Sequence, residues 1–271
     1  MSLTAAPKII FFDVDETLYS NHSPRGPHVP ESTRQALHEL HQKGILTAIA
    51  TGRSAAVLPL AVKTLITECG IDMLVSINGQ YIEYRGQKLA DFPMDAMQAA
   101  QLSQRLRQHH IAHAFVAHDG LYSAYEDEHL HAALNALGIA HILAAREGLF
   151  AIAENHYLHD ALNALGIRYQ SDPAACGKYD TYQLLGFYPA EQDGEIAPLL
   201  PPSLQIIRWH PSGTDWLDKT ASKARGIQTA LQKLGLKMAD AMAFGDAHND
   251  MEMLQTVGFS VAMGNAVPEI K

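Results

Sequence analysis

The sequence of 271 residues predicts an α/β fold, in which a parallel sheet with crossover helices is interrupted by an inserted second domain. Apolar runs of strand length alternate with helical patterns in the first part of the chain, and this alternation is typical of a parallel sheet. The middle of the chain loses the alternation and mixes hairpin and helix patterns. The alternation returns at Thr220. We therefore expect one core built from both ends of the chain.

The first part of the core follows from strands separated by helices. Three strands are predicted, at 8–12, 45–50 and 73–77. Each is apolar and contains β-branched or aromatic residues. Helices are expected at 31–43 and from about residue 54 to residue 70, with Pro59 tolerated inside the second helix or kinking it mildly. Because strands and helices alternate, the strands should be parallel and should end at one edge of the sheet.

The inserted domain is expected to combine helices and strands. Its predicted elements lie at 81–84, 88–90, 94–110, 111–117, 121–125, 181–188 and 204–210. The core then resumes with a helix that reaches Leu234, a strand at 241–244, a helix from about Asn249 and a strand at 259–263. We divide the chain accordingly. The first core segment is 1–82, the inserted domain is 83–210 and the second core segment is 211–271.

Composition excludes some classes of binding partner and indicates the cellular compartment. The hydrophobic fraction of 47% supports a full core, and the net charge of −9, from 29 acidic and 20 basic residues, argues against binding to nucleic acid or to an anionic membrane. Cys69 and Cys176 are far apart and form no Cys-x-x-Cys pair. No apolar run reaches the ~18 residues of a membrane span. These features predict a cytoplasmic protein, and they do not predict its oligomeric state.

Chemically active side chains gather where the predicted strands end. They form four groups: Asp13-x-Asp15-x-Thr17, Thr51-Gly52-Arg53, Lys223 early in a helix, and Gly245-Asp246-x-x-Asn249-Asp250. Because ligands bind beyond the carboxyl ends of parallel strands, these groups should meet at one edge of the sheet. Paired carboxylates suit Mg²⁺, and carboxylates, a hydroxyl and a cation are what phosphoryl transfer needs. Taken alone, the first group reads equally well as an ordinary turn.

Together the four groups resemble the motifs of haloacid dehalogenase (HAD) superfamily phosphatases, specifically the Cof-type subgroup with a large α/β cap (type IIB). They occur in the family's order, with the insertion after the second group. Asn78-Gly79 and the segment Val261-Ala-Met-Gly-Asn265 also resemble that subgroup. The resemblance implies a Rossmann-like parallel-sheet core and an inserted α+β cap. It also implies a Mg²⁺-dependent phosphatase that hydrolyses small phosphorylated metabolites, with sugar phosphates foremost.

The resemblance also implies a role for each site residue. Asp13 resembles the nucleophile that forms an aspartyl-phosphate, and Asp15 the general acid that protonates the leaving alcohol and then activates water. The implied metal-binding set is Asp13, Asp15 through its backbone carbonyl, Asp246 as a direct ligand and Asp250 in support. The implied substrate-binding set is Thr51, Gly52, Arg53, Lys223 and Asn249. Arg53 is expected either to assist catalysis or to contact the cap.

One residue departs from the family pattern, and two other functions stay open. Glu16 stands where the family most often has glycine. It adds negative charge beside the site, and we expect this charge to alter the leaving-group preference. A phosphomutase would share the core chemistry, whereas a phospho-acceptor switch would need no large insertion over its site. The insertion and the placed acid Asp15 favour an enzyme. We expect the core to perform the chemistry and the insertion to select the substrate.

Overall fold

The computed structural model describes residues 6–21, 23–118, 120–125, 128–129, 168–171 and 179–271. The chain forms two compact units. The first consists of Met1–Arg53, Leu58–Phe92 and Thr220–Lys271, and the second of Ser54–Val57 and Pro93–Lys219. Among the residues described, none of the helices combines the length and the hydropathy that a bilayer crossing requires.

The first unit is built on a seven-stranded sheet. Its strands are β1 (Ile9–Phe12), β2 (Leu46–Ala50), β3 (Met73–Ser76), β4 (Tyr81–Tyr84), β5 (Gln87–Asp91), β12 (Ala241–Gly245) and β13 (Phe259–Ala262). The strand order is β13-β12-β1-β2-β3-β4-β5. The five strands from β13 to β3 are parallel, and β4 and β5 continue the sheet as an antiparallel hairpin. The predicted parallel core is thus present, with β1 between β12 and β2.

Helices cover this sheet and fix the ends of its strands. They are α1 (Glu31–Gln42), α2 (Leu60–Cys69), α5 (Lys223–Lys233) and α6 (Met251–Thr256). Alternate strand residues such as Phe11 and Val75 form a buried apolar cluster with Ile227 and Leu231 of α5 and Met253 of α6. Burial of apolar surface of this kind is the main stabilising contribution to a folded domain. It also holds the N-terminus of α5 against the sheet.

The second helix begins later than the sequence predicted. A short 3-10 turn, Ala55–Val57, precedes Pro59, and α2 starts only at Leu60. Pro59 occupies the N-cap position with φ −54°, so the proline marks the start of the helix and does not lie inside it. The proline ring fixes φ near the helical value and removes an N–H that a first turn would leave unpaired, which explains this placement.

The second unit contains a six-stranded sheet of order β10-β11-β9-β6-β7-β8. Its strands are β6 (Ala112–Ala117), β7 (Gly120–Tyr125), β8 (Arg168–Ser171), β9 (Gln183–Phe187), β10 (Leu204–His210) and β11 (Gly213–Asp218). Its described helices include α3 (Ala96–Gln108) and the short α4 (Asp193–Ile196). Leu102 and Leu106 of α3 pack on Phe115, Leu184 and Trp216 of the sheet. This mixture of helices and strands agrees with the α+β insertion that was predicted.

The two units divide later in the chain than the predicted boundaries, which were 82/83 and 210/211. The hairpin β4–β5 is bonded to β3, and it therefore belongs to the first sheet although most of it was assigned to the insertion. Conversely, β11 pairs with β10 and β9 in the second sheet, although it was assigned to the core. The contact units accordingly divide after Phe92 and after Lys219. The domain assignment itself stays a prediction.

Candidate active site

Three polar groups of the first unit emerge at the carboxyl ends of adjacent parallel strands. Asp13 follows β1, Thr51 follows β2 and Asp246 follows β12. These strands are direct neighbours, so the three residues lie along one edge of the sheet. The backbone N–H of Asp13 donates to the carbonyl of Phe244 at 3.1 Å, which ties the start of the loop to β12. The edge predicted to carry the site is therefore the edge at which these residues meet.

A buried ammonium lies between two of the carboxylates. Lys223 Nζ donates to Asp13 Oδ1 at 2.5 Å and to Asp250 Oδ1 at 2.6 Å. Burial lowers the pKa of Lys223, but the charges of Asp13 and Asp250 and their hydrogen bonds outweigh this effect and raise the pKa above its ordinary value. For Asp13, burial raises the carboxyl pKa to about 7 against the opposing charge of Lys223. The lysine therefore stays charged at neutral pH beside the predicted nucleophile.

The start of α5 places this lysine. Ser222 is the N-cap residue, and its side chain accepts the backbone N–H of Arg225 at 3.1 Å. Gly79 has φ +82°, and a Cβ there would lie 2.1 Å from the carbonyl oxygen of Ser222. Only glycine combines this backbone conformation with so close an approach. The Asn78-Gly79 turn after β3 therefore packs directly against the first turn of α5, where Lys223 is the first helical residue.

Asp250 shapes the loop that follows β12. Its Oδ2 accepts the backbone N–H groups of Asp246 at 3.0 Å and of Ala247 at 3.1 Å, and its Oδ1 accepts from Lys223. A Cβ at Gly245 would lie 2.6 Å from Asp250 Cβ, so the motif needs glycine at this position. Both carboxylate oxygens of Asp250 thus accept hydrogen bonds from the protein. This arrangement suits a residue that supports the loop.

A divalent cation fits beside Asp13 and Asp246. Oxygen atoms of Asp13, Asp246 and Asp250 all lie within 4.8 Å of one another. Burial raises the pKa of Asp246, and the charge of Asp250 adds to the rise, so a cation would relieve the repulsion within this group. Thr17 Oγ1 and Asn265 Nδ2 reach the two oxygens of Asp246 at 3.4 and 3.5 Å. Carboxylate oxygens in such a cluster are the ligands that Mg²⁺ prefers.

The second carboxylate of the first motif is held by arginine. Arg53 Nε donates to Asp15 Oδ2 at 2.8 Å, Arg53 Nη2 donates to Oδ1 at 2.9 Å, and Asn21 Nδ2 donates to Oδ1 at 3.0 Å. Burial raises the pKa of Asp15, but these hydrogen bonds and the guanidinium charge outweigh it and hold the pKa below its ordinary value. Asp15 is therefore an ionised partner of Arg53 in this conformation.

The other predicted substrate-binding residues lie near this edge with different degrees of exposure. Thr51 is buried, and its Oγ1 accepts the backbone N–H of Arg53 at 3.1 Å. A Cβ at Gly52 would lie 3.2 Å from Asn78 Oδ1, so the backbone passes close to that side chain. Asn249 lies exposed on the short turn that ends at Asp250. Its part in phosphate binding stays a prediction.

Two residues of this site escaped the sequence analysis. Asn21 contacts Asp15, but it lies in a loop with no strand end or motif spacing to mark it. Asn265 Nδ2 donates to the carbonyl of Glu16 at 3.0 Å and so joins the end of the chain to the first motif. The sequence signal that could have indicated Asn265 was its place in a segment that resembles the Cof-type subgroup. In both cases the contact depends on loop geometry that spacing does not encode.

Comparison with known proteins identifies the family of this chain. The family model of haloacid dehalogenase-like hydrolases matches residues 10–271. The chain is 32% identical over 264 residues to "Putative phosphatase YkrA" of Bacillus subtilis, covering 97% of this chain and 89% of that protein. A hypothetical protein of Geobacillus kaustophilus has a similar structure, with a TM-score of 0.78 and 31% identity over 98% of this chain and 90% of that one.

A second solved structure specifies the subclass. The HAD subclass IIB sugar phosphatase BT4131 superposes with a TM-score of 0.72 and 25% identity, covering 97% of this chain and 90% of that one. The inserted mixed unit, the order of the strand-end motifs and the match over nearly the whole chain all agree with this subclass. The chain belongs to the haloacid dehalogenase-like hydrolases and is a phosphatase of their Cof type, with the IIB form of cap.

Proposed function

We propose that the protein is a Mg²⁺-dependent phosphatase that hydrolyses small phosphomonoesters, with sugar phosphates foremost, through a phosphoryl group carried on Asp13. One observation carries this proposal. A buried carboxylate at the end of the central strand β1 is paired with Lys223 and lies within 4.8 Å of a second carboxylate, Asp246, that is suited to a cation. This arrangement supplies a nucleophile together with the positive charge that an incoming dianionic phosphate requires.

The residues that would hold Mg²⁺ are Asp13, Asp246 and the backbone carbonyl of Asp15, while Asp250 would act by fixing the loop. Asp250 is given this supporting part because its oxygens accept hydrogen bonds of 2.6, 3.0 and 3.1 Å, whereas the contacts to the oxygens of Asp246 are longer, at 3.4 and 3.5 Å. When bound, Mg²⁺ would offset the repulsion between the Asp13 carboxylate and the phosphate. The proposal thus retains all four residues of the metal-binding set named in the sequence analysis. Asp250 differs from the other three because it would act on the metal site only through the loop.

The chain's own residues account for the two steps of the reaction. An oxygen of Asp13 forms a bond to phosphorus while the bond from phosphorus to the alcohol oxygen breaks. Asp15 is ionised while Arg53 holds it, so in this proposal it takes up a proton when the bound substrate draws the guanidinium away, and it then gives this proton to the alcohol oxygen. Water then attacks the phosphorus and gives a proton to Asp15, which releases inorganic phosphate and restores Asp13. The phosphoryl oxygens are proposed to be held by Thr51, Lys223 and Asn249, and Arg53 is proposed to assist.

The sugar-phosphate preference is the finer part of the proposal. It is supported by the family resemblance and by the name of BT4131, which describes that protein as a sugar phosphatase. A phosphorylated metabolite as substrate also agrees with the cytoplasmic location inferred from the cysteine pattern. The hydrolase family favours an enzyme over a phospho-acceptor switch. The phosphomutase alternative shares the first step and differs only in the fate of the phosphoryl group.

The test is a screen of phosphorylated metabolites with the purified protein, with Mg²⁺ and after exhaustive chelation. We expect release of inorganic phosphate only with Mg²⁺, and loss of turnover in Asp13→Asn, because an amide is a very poor nucleophile toward phosphorus. The matched control is Asp180→Asn, which changes an exposed aspartate of the second unit and should keep full activity. Circular dichroism verifies folding, and mass spectrometry verifies that the asparagine introduced by Asp13→Asn has not deamidated.

Product analysis separates the outcomes. Free phosphate from a hexose 1-phosphate supports the phosphatase, whereas an isomeric sugar phosphate without net release of phosphate would identify a mutase. Wild-type turnover that survives chelation would overturn the part assigned to the metal. A folded Asp13→Asn variant with near-wild-type turnover would overturn the covalent step.

A further inference from the structure

The two oxygens of the proposed general acid are held unequally. Asp15 Oδ1 accepts from both Arg53 Nη2 and Asn21 Nδ2, at 2.9 and 3.0 Å, and Oδ2 accepts from Arg53 Nε at 2.8 Å. Arg53 is also a proposed phosphate-binding residue, so a bound substrate would compete with Asp15 for its guanidinium. Asn21 would then continue to hold Oδ1. Oδ1 of Asp15 would then stay fixed by Asn21, and Oδ2 would be available to the substrate.

Asn21 is itself fixed by Glu16. The Glu16 side chain accepts the backbone N–H of Asn21 through Oε1 at 2.7 Å, five residues along the chain. The backbone N–H of Glu16 donates to the carbonyl of Tyr19 at 2.8 Å, and its carbonyl accepts from Asn265. The loop after β1 is therefore closed on itself, and Glu16 is bonded at its backbone and at its side chain. This rigidity leaves the Asn21 amide little freedom to move away from Asp15.

The backbone at Glu16 indicates that this side chain has a specific use. Glu16 has φ +56°, in the left-handed region that glycine enters without penalty and that other residues enter only at a steric cost. Residues held in such a conformation are found at functional sites more often than elsewhere. Glycine would remove the strain, but it would also remove the carboxylate that holds Asn21. The glutamate supplies a bond that the usual glycine cannot supply.

We propose that Asn21 is a positioning residue for the general acid Asp15 and that Glu16 holds Asn21 in place for this purpose. The inference rests on the proposed function. Asn21 fixes Oδ1, so that Oδ2 carries the proton to the alcohol oxygen as the bond from phosphorus to that oxygen breaks and the bond from Asp13 to phosphorus forms. Neither Asn21 nor Glu16 exchanges a proton or touches the phosphoryl group.

The leaving group distinguishes this role from a merely structural one. An alkyl phosphate releases a strongly basic alkoxide and needs the proton, whereas 4-nitrophenyl phosphate releases a stable phenolate and hardly needs it. We therefore expect Asn21→Ala and Asn21→Asp to lower kcat/KM for the best alkyl phosphate by about tenfold or more. The value of kcat/KM for 4-nitrophenyl phosphate should change by less than about twofold, because kcat/KM reports the steps up to departure of the leaving group.

Glu16 offers a matched pair of substitutions. Glu16→Gln keeps an acceptor oxygen at the same place and should preserve the wild-type ratio of the two kcat/KM values. Glu16→Gly removes the acceptor while relieving the backbone, so the ratio should fall as it does in Asn21→Ala even if the thermal stability rises. Arg25→Ala, an exposed change in the same loop, is the control and should leave the ratio unchanged.

The outcomes separate this inference from the proposed function. Equal losses with both substrates, or no loss with the alkyl phosphate, would overturn the positioning role while wild-type turnover still supported the phosphatase. A wild-type protein that hydrolyses neither substrate with Mg²⁺ would overturn the proposed function and this inference together. A selective loss in Asn21→Ala that is shared by Glu16→Gly but not by Glu16→Gln is the result that supports it.

Discussion

Lys223 is the buried charge on which the electrostatics of the site depend. Its side chain is fully buried, and it pairs with Asp13, which is 8% exposed, and with the fully buried Asp250. Removing an ammonium from water is costly, and two carboxylates offset that cost only while all three groups stay together. The same group serves folding, because it neutralises the two carboxylates, and in the proposed reaction it would also hold a phosphoryl oxygen. The role in folding predicts an effect on the free energy of unfolding, which can be measured without any substrate.

Lys223→Met should be destabilising in the absence of any substrate. The thioether keeps most of the buried volume but leaves two buried carboxylates without their cation, which typically costs ~3–5 kcal/mol. The measurement is the free energy of unfolding in urea. Lys233→Met, at the exposed end of the same helix, is the control and should change this free energy by less than about 0.5 kcal/mol. Adding Asp13→Asn to Lys223→Met should recover part of the loss. If the double variant is no more stable than Lys223→Met, the unpaired Asp13 charge is not the cause.

The carboxylates of the site and Lys223 could be predicted from the sequence, whereas the hydrogen-bond partners of Asp15 could not. Asp13 and Asp246 follow strands whose apolar pattern is strong, and neighbouring parallel strands bring their ends together. The pairing of Arg53 with Asp15 and the contact of Asn21 depend on side-chain directions in two loops. Residue spacing does not determine such directions. The left-handed backbone of Glu16 was likewise not encoded in its residue type.

A buried histidine joins helix α3 to strand β6 in the second unit. His113 Nε2 lies 2.8 Å from Ser103 Oγ, and Nδ1 lies 2.8 Å from the carbonyl oxygen of Ile111. The carbonyl can only accept, so Nδ1 donates to it, and Nε2 of the neutral ring then accepts from the serine hydroxyl. Burial lowers the pKa of His113 to about 4. The connection between helix and strand therefore needs the neutral imidazole.

This depressed pKa predicts a loss of stability on acidification. The folded state takes up the proton only near pH 4, whereas an unfolded histidine takes it up near pH 6.5, so stability is fully present above about pH 6.5 and falls towards about pH 4. Between about pH 7.5 and about pH 5, His113 should contribute ~2 kcal/mol of the decrease in unfolding free energy. His113→Gln should remove this contribution. The exposed change His109→Gln is the control. An identical pH dependence in His113→Gln and in the wild type would contradict the assignment.

The positions of the strands were predicted better than the sheet to which each strand belongs. The hairpin β4–β5 and the strand β10 were found close to their predicted positions, because period-two patterns and turn residues are local signals. The strand with which a hairpin pairs is not determined by the pattern within the hairpin itself. Tyr81–Tyr84 pairs with β3 because the Asn78-Gly79 turn reverses the chain beside that strand, and this left-handed turn has Asn78 at φ +50°. The change from alternating strands and helices to a hairpin pattern set the predicted boundary at 82/83, whereas the contact unit divides after Phe92.

The residues of the candidate site and the long segment 93–219 occupy separate parts of the sequence. The residues of the candidate site belong to the first unit, which has its own seven-stranded sheet and its own buried cluster. The first-unit residues that flank the long segment Pro93–Lys219 both contact one side chain of the first unit. The guanidinium of Arg225 lies over the ring of Phe92 at 4.2 Å, and its Nη1 donates to Thr220 Oγ1 at 2.5 Å. Phe92 and Thr220, the residues that flank the segment 93–219, therefore lie close together.

Excision of residues 93–219, with a short glycine-serine linker joining Phe92 to Thr220, should leave a folded phosphatase with little substrate preference. The sheet and the buried cluster of the first unit consist of residues outside the excised segment, whereas Ser54–Val57 belongs to the second unit and loses its packing partners. We expect native-like circular dichroism and Mg²⁺-dependent hydrolysis of 4-nitrophenyl phosphate, which the same variant with Asp13→Asn should lack. The ratio of kcat/KM between the best metabolite and its analogues should collapse towards one, because the remaining residues bind only the phosphoryl group common to all substrates. A folded, active core that keeps the original ratio would show that residues outside 93–219 determine specificity.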